Sequence, residues 1–193
     1  MVEAVSRLNH TQKIFSKTNW NVTESILSGK ILQLASPILT LDLTDACNFK
    51  CEYCIDKSLV SIKKNEEIDW EILKKLLIGL KEKGCRCIEI TGGGEPTLYS
   101  HFENFLMLST ELGYRLALIT NGSNLHNYLS TIIRSSFDWV RVSLNAGTES
   151  THSHIHKTKK NCFNEILKSI YMISSYHNVG VSYLLTDDNI NEI

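Results

Sequence analysis

Three cysteines, Cys47, Cys51 and Cys54, stand within eight residues as Cys-Asn-Phe-Lys-Cys-Glu-Tyr-Cys, directly after an apolar run. That spacing lets three thiolates from one short loop converge on a single metal centre. A cubane iron–sulfur cluster has four irons and ordinarily takes four thiolates. A loop that offers three leaves one iron open, which is what a site needs if that iron is to hold a substrate or cofactor. The same logic separates closed structural zinc sites from catalytic ones, which keep a vacant position. A second feature is Gly92-Gly93-Gly94-Glu95-Pro96. Glycines without Cβ atoms let a ligand approach the backbone closely. This run matches neither the P-loop nor the dinucleotide pattern, since no Gly-Lys follows and the G-x-G-x-x-G spacing is missing. A flexible turn or a phosphate cradle would explain it equally well.

Other chemistry-bearing residues read more plainly. Cys85, Cys87 and Cys162 fit small buried hydrophobes better than ligands. His152, His154 and His156 alternate, and a loop is favoured over a second metal site. Glu89 and Arg141 either pair with each other or contact substrate, and both readings stay open.

The elements that must position these residues alternate in type. Strands are expected at Ile38–Thr44, Cys87–Thr91, Tyr114–Thr120, Asp138–Leu144 and Val179–Thr186. A helix with Ile68, Ile72, Leu76, Leu77 and Leu80 on its apolar face lies between the first two. Ser100 and Glu103 fit a capping box at the start of the next. Leu125, Leu129, Ile132 and Ile133 mark a third helix, and Phe163, Ile166, Leu167, Ile170 and Ile173 a fourth. Repeated strand–helix–strand units give parallel strands joined by right-handed crossovers. Strands buried on both faces read as continuous apolar runs. Here Leu39, Leu41 and Leu43 alternate with Thr40, Asp42 and Thr44, and Val140, Val142 and Leu144 with Arg141, Ser143 and Asn145. One side therefore packs on helices while the other is polar. The expected class is α/β, a partial (β/α) TIM-like barrel of five to six parallel strands with a ligand-holding interior. An open sheet with one poorly covered face is the competing architecture. Both motifs would then share the rim at the C-terminal strand ends, where active sites of such barrels assemble. Residues 1–36 read as an N-terminal extension and 37–193 as the core domain, whose C-terminal part is expected to be missing.

Taken together, Cys47-Asn-Phe-Lys-Cys51-Glu-Tyr-Cys54, Thr91-Gly-Gly-Gly-Glu-Pro96, Ile119-Thr-Asn-Gly122 and Val140-Arg-Val-Ser-Leu-Asn145 resemble the radical S-adenosylmethionine (radical SAM) superfamily. The resemblance runs from about Ile38 to the C-terminus. It implies that Cys47, Cys51 and Cys54 hold a [4Fe–4S] cluster whose fourth iron is chelated by the methionine part of S-adenosylmethionine (SAM). It further implies that Tyr53 contacts the adenine and that Gly93, Gly94 and Glu95 line the methionine amino group. Ser143 and Asn145 would reach the ribose or carboxylate, although many relatives carry Asp in the place of Asn145. The activity so implied is reductive cleavage of SAM to a 5′-deoxyadenosyl radical that takes hydrogen from a substrate. Peptide, cofactor, sugar and RNA substrates all run on this scaffold, and fold does not choose among them. An external electron donor such as flavodoxin or ferredoxin is implied as a partner. The competing function is a non-catalytic metal-binding module that uses the same cysteines for zinc or an inactive cluster.

Bulk properties narrow the setting. The chain has 193 residues, 42% of them hydrophobic and 21% charged, with a net charge of −1. That suits one domain of a globular protein and offers no electrostatic footprint for non-specific nucleic-acid binding. The short basic clusters Lys63–Lys64 and Lys157 with Lys159–Lys160 read as solvated loop faces. No apolar stretch reaches the roughly 18 residues of a membrane span. The N-terminus lacks a signal-peptide core, so a cytoplasmic setting with reduced thiols is expected.

Overall fold

A computed structural model describes residues 38–54, 65–158 and 162–192. The expected N-terminal extension, Lys63–Lys64 and Lys159–Lys160 lie outside the described residues. Five strands form one sheet: β1 (Ile38–Asp42), β2 (Cys87–Thr91), β3 (Arg115–Thr120), β4 (Phe137–Ser143) and β5 (Asn178–Ser182). They run parallel in the order β1-β2-β3-β4-β5, so each strand lies beside its neighbour in sequence and the sheet stays open. The connections carry helices α1 (Trp70–Glu82), α2 (Phe102–Glu111), α3 (Leu129–Arg134), α4 (Glu149–His156) and α5 (Phe163–Ser174). This is the partial barrel expected from the alternation of apolar and polar residues along the strands.

The core explains that alternation. Leu41, Ile88, Ile90, Leu116, Leu118, Val140 and Val142 are buried, and they pack with Leu73, Leu77, Phe102, Phe105, Ile132, Phe163, Ile166 and Ile173 from the helices. On the opposite sheet face Thr40, Asp42 and Arg141 are exposed. The two faces therefore separate a packed outer layer from a polar inner one.

Several local expectations are corrected. Helix α1 turns Leu73 and Leu77 fully inward and leaves Ile72 65% and Leu76 40% exposed. Its apolar stripe is wide enough to seat two ways. Packing chooses the inner one, where the Tyr114 hydroxyl donates to the Leu77 carbonyl at 2.6 Å. No capping box forms at Ser100. Its hydroxyl donates to Glu67 Oε2 at 2.5 Å, while Glu103 Oε1 accepts from Thr131 at 2.5 Å. Long-range partners thus win over the local ones. The first and last strands end early, at Asp42 and Ser182, and Thr44 instead bridges to Glu67. The histidine trio, expected in a loop, belongs to α4. Thr148 caps this helix by accepting from Thr151 N at 3.3 Å.

Candidate functional site

The three cysteines sit just past β1, on a loop that three neighbouring segments hold in shape. Lys50 N and Glu52 N donate to the carbonyls of His156 and Ile155 at 3.0 and 3.1 Å. Those carbonyls close α4, and the last turn of any helix leaves such acceptors unsatisfied. The loop thereby docks on the end of α4 through backbone bonds, and the Lys157–Glu52 ion pair at 2.7 Å adds a side-chain tie. Phe49 anchors the same contact, buried with its ring 5.7 Å from His152 and 5.1 Å from His156. On the other flank Asn121 Nδ2 donates to Asn48 Oδ1 at 2.9 Å, and Asn48 Nδ2 donates to Ser123 Oγ at 2.8 Å.

The glycine run after β2 packs against the β1 exit. A Cβ on Gly94 would lie 2.2 Å from the Ala46 carbonyl oxygen. Glu95 N donates to that same oxygen at 2.7 Å. Gly94 is therefore glycine because two rim loops touch there. The Glu95 side chain is 2% exposed. Its Oε1 accepts from Thr97 N (3.1 Å), Thr97 Oγ1 (2.6 Å) and Thr120 Oγ1 (2.6 Å), and its Oε2 from Asn121 N (2.7 Å). Burial pushes this carboxyl group upward and the four donors pull it back. A carboxylate offers about four acceptor positions. Glu95 therefore ties the ends of β2 and β3 together.

Around these loops lies a cavity of about 230 Å³. Cys47, Cys51, Tyr53 and Cys54 line one side of it, and Thr91, Gly92, Gly94 and Glu95 the β2 end. Ile119, Thr120 and Asn121 of β3, Ser143 and Asn145 of β4, His156 of α4 and Leu184 complete it. Of the expected site residues only Gly93 is not part of this lining, and its neighbour Gly92 is. Thr91, Ile119 and Asn121 belong to the quoted motifs but carry no assigned role there, His156 enters the sequence reading only as one of the histidine trio, and Leu184 is not named in it. Asn121 was within reach, since it belongs to the quoted Ile-Thr-Asn-Gly motif. His156 and Leu184 arrive only through tertiary packing.

Asn145 adopts a left-handed backbone, φ 54°, a conformation that Asn tolerates better than most residues. Its Oδ1 accepts from Leu184 N at 2.9 Å, and its carbonyl accepts from Asn189 Nδ2 at 2.8 Å. The segment after β5 is thereby pinned against the cavity. The amide Nδ2 of Asn145 keeps its hydrogens for another partner. An aspartate here could accept from Leu184 N equally well but would offer no donor, so Asn changes the hydrogen-bonding sense of the position.

His156 contacts a cysteine directly. Nε2 lies 3.0 Å from the Leu144 carbonyl and must donate to it; Nδ1 lies 3.0 Å from Cys51 Sγ. In the neutral ring Nδ1 is thus the acceptor and the Cys51 thiol the donor. Burial lowers the pKa of His156 and favours that neutral form. The Cys51 thiol is pushed up to about 12, first by burial and then by the charges of Cys47 and Cys54. His152 and His156 are buried on one face of α4 while His154 is exposed on another, so the trio does not converge. Cys85 and Cys162 are buried.

None of the six cysteines is in a disulfide. Among the described residues no three His, Cys, Asp or Glu side chains come close enough to grip one metal ion. Three thiols whose ionised forms would repel one another at a shared cavity suit a larger cationic cluster, whose irons stand apart and each draw one thiolate. The donor set fits a cubane, with the remaining cavity wall available to a ligand on the open iron. Among the described residues no helix is long and apolar enough to cross a membrane.

Comparison with known proteins agrees with this chemistry. A family model described as the Radical SAM superfamily matches residues 41–193. The GTP 3',8-cyclase of Psychromonas ingrahamii is 29% identical over 134 residues, 68% of this chain and 39% of that protein. An S-adenosylmethionine-dependent nucleotide dehydratase of Thermoplasmatales archaeon (strain ISO4-H5) is 29% identical over 111 residues, 56% of this chain and 38% of that protein. The chain thus spans about two fifths of these relatives' length. Among solved structures, Streptococcus suis SuiB bound to S-adenosylmethionine superposes with a TM-score of 0.63 at 17% identity, covering 89% of this chain and 40% of that one. Radical SAM proteins work with a [4Fe–4S] cluster and SAM. The chain belongs to the radical SAM superfamily.

Proposed function

We propose that this chain is the cofactor-binding core of a radical SAM enzyme that acts on a nucleotide. The observation that carries the reading is the meeting of Cys47, Cys51 and Cys54 with the ends of β2, β3 and β4 on one cavity. Cys47, Cys51 and Cys54 would hold the [4Fe–4S] cluster. When bound, the cluster supplies the electron that splits SAM into methionine and a 5′-deoxyadenosyl radical able to take hydrogen from a substrate. The chain's own residues do the positioning. The backbone of Gly93, Gly94 and Glu95 would face the methionine ammonium, with the Glu95 carboxylate adding negative potential from behind. Ser143 and the Asn145 amide would donate to the carboxylate or ribose. Tyr53, whose hydroxyl lies 3.3 Å from Asp188, would flank the adenine together with Leu184. Docking of the cysteine loop on α4 keeps its thiols aimed at the cavity. Because Cys47 is exposed, an external donor such as flavodoxin or ferredoxin could deliver electrons over a short path. The nucleotide assignment rests on the two sequence relatives named above, whose names specify GTP and nucleotides as substrates.

The test is anaerobic reconstitution with iron and sulfide, followed by dithionite and SAM, with 5′-deoxyadenosine read by mass spectrometry. Wild-type protein should hold close to four irons per chain and release the nucleoside. The Cys51→Ala variant should lose both. Product formation by that variant, or a colourless wild-type protein containing zinc, would refute the assignment and favour a structural metal module.

A further inference from the structure

We infer that Arg141 anchors a phosphate group of the substrate on the inner face of the sheet. The inference rests on the radical SAM reading and its nucleotide substrate class, and it adds the residue that would recognise that substrate. Arg141 lies on β4 two residues before Ser143, on the same sheet face, about 7 Å further down the strand. Its cross-sheet partner on β3 is Ile119. Both Ser143 and Ile119 line the cofactor cavity, and Arg141 does not. Arg141 therefore lies just below the rim of that cavity, on the side toward the middle of the sheet.

Three observations make it a recognition group rather than a solvated surface charge. First, no carboxylate pairs with it among the described residues, although Asp42 and Glu89 lie on the same sheet face and form no ion pair there. Glu89 on β2 and Arg141 on β4 are separated by β3 and form no ion pair among the described residues.

 Second, the guanidinium lies over the Trp139 ring, 5.6 Å from its centroid, a cation–π contact that holds the fork in place while leaving its N–H donors unused. Third, its partner on β5 is Gly180, where a Cβ would meet nothing within 4 Å, so space stays open beside the guanidinium.

The inner face is also polar in an ordered way. Asp42 on β1 and Glu89 on β2 carry the negative end, and Arg141 on β4 the positive one. Strands stand about 4.8 Å apart, which puts roughly 10 Å between the β2 and β4 backbones and roughly 14 Å between β1 and β4. A nucleotide lying across the sheet is directed by this polarity. Its phosphates are repelled from the β1–β2 side and drawn to Arg141, and the N–H donors of its base face the carboxylates. Arginine forks match phosphate oxygens in bidentate geometry.

The experiment is calorimetric titration of the reconstituted, SAM-loaded full chain with GTP, guanosine and inorganic tripolyphosphate, in wild type, Arg141→Ala and Arg141→Lys. GTP affinity should fall about tenfold to a hundredfold in Arg141→Ala, the loss expected for hydrogen bonds to a charged group, and recover in part with Lys. Guanosine should bind equally to all three proteins, tripolyphosphate should compete with GTP in wild type, and SAM affinity should change less than twofold. The inference fails if GTP binding is unaltered by Arg141→Ala, if wild type binds neither GTP nor tripolyphosphate, or if SAM affinity drops in parallel, which would assign Arg141 to the cofactor carboxylate. Absence of 5′-deoxyadenosine from wild-type protein with SAM and dithionite would instead sink the radical SAM reading itself, so the two failures are separable.

Discussion

Gly94 shows how a residue type follows from a contact rather than from chemistry at the site. The motif suggests glycine so that a ligand can come close, yet the nearest atoms to a Cβ there belong to the backbone of Thr44, Asp45 and Ala46, the closest at 2.2 Å. Backbone atoms cannot swing aside as the end of a side chain can. Gly94→Ala must therefore part the loop after β2 from the loop that carries the cysteines, and strain the Glu95 N to Ala46 O bond of 2.7 Å. Overpacking of this kind costs about 1–3 kcal/mol. Urea unfolding should show a loss in that range, and iron retained after reconstitution should fall with it. If the variant matched wild type in both measurements, contact between the two loops would not be what demands glycine. Glu95 makes the companion point. Its four accepted hydrogen bonds could not be read from Gly-Gly-Gly-Glu-Pro, because three of their donor groups lie on Thr120, Asn121 and the side chain of Thr97, placed there by folding.

Among the elements, the strands were legible and α4 was not. Each strand carries a run of alternating apolar residues that fills the space under the helices, so period and burial agree. In Glu149–His156 the buried face is His152, Ile155 and His156, two of them residues that a hydropathy pattern counts as polar. The remaining signal was a Thr148 cap with Glu149 in the first turn. The cysteines could be named from sequence because their spacing is local. The place of His156 and Leu184 at the same cavity could not be read that way, because they reach it from 105 and 133 residues beyond Cys51. Burying His152 has a measurable consequence. It is fully buried, and among the described residues neither ring nitrogen has a hydrogen-bond partner. Its pKa drops from 6.5 to about 4, mainly through burial and then through His156. Below pH 6.5 the unfolded chain therefore binds a proton that the folded chain refuses. The contribution of neutral His152 is complete above pH 6.5, shrinks as pH falls and levels off near pH 4. At pH 5 the loss is roughly 2 kcal/mol relative to pH 7. His152→Phe, close in shape and unable to titrate, should remove about that much of the difference in unfolding free energy between pH 7 and pH 5. An unchanged difference would mean that His152 does not titrate as its burial demands.

At the scale of the whole molecule, the cavity exists only when the sheet is assembled. Its walls come from the β1 exit loop, the ends of β2, β3 and β4, the last turn of α4 and the segment after β5, and an unfolded chain cannot gather those pieces. Any ligand that fills the cavity consequently binds the native state alone and raises its stability by mass action. With SAM at a hundredfold excess over its dissociation constant the gain is about 2.7 kcal/mol. For a chain of this size each kcal/mol moves the melting temperature by about 2–4 °C, so reconstituted protein should melt roughly 5–10 °C higher with SAM than without it. On the proposed reading the cluster is needed for that response, because the open iron is where the methionine end of SAM would attach. Cys51→Ala should leave the melting temperature almost insensitive to SAM, even though most of the cavity wall is intact. A full upward shift in the iron-free variant would show that the polar wall suffices to hold the nucleoside, and the three cysteines would then need another purpose than presenting an open iron.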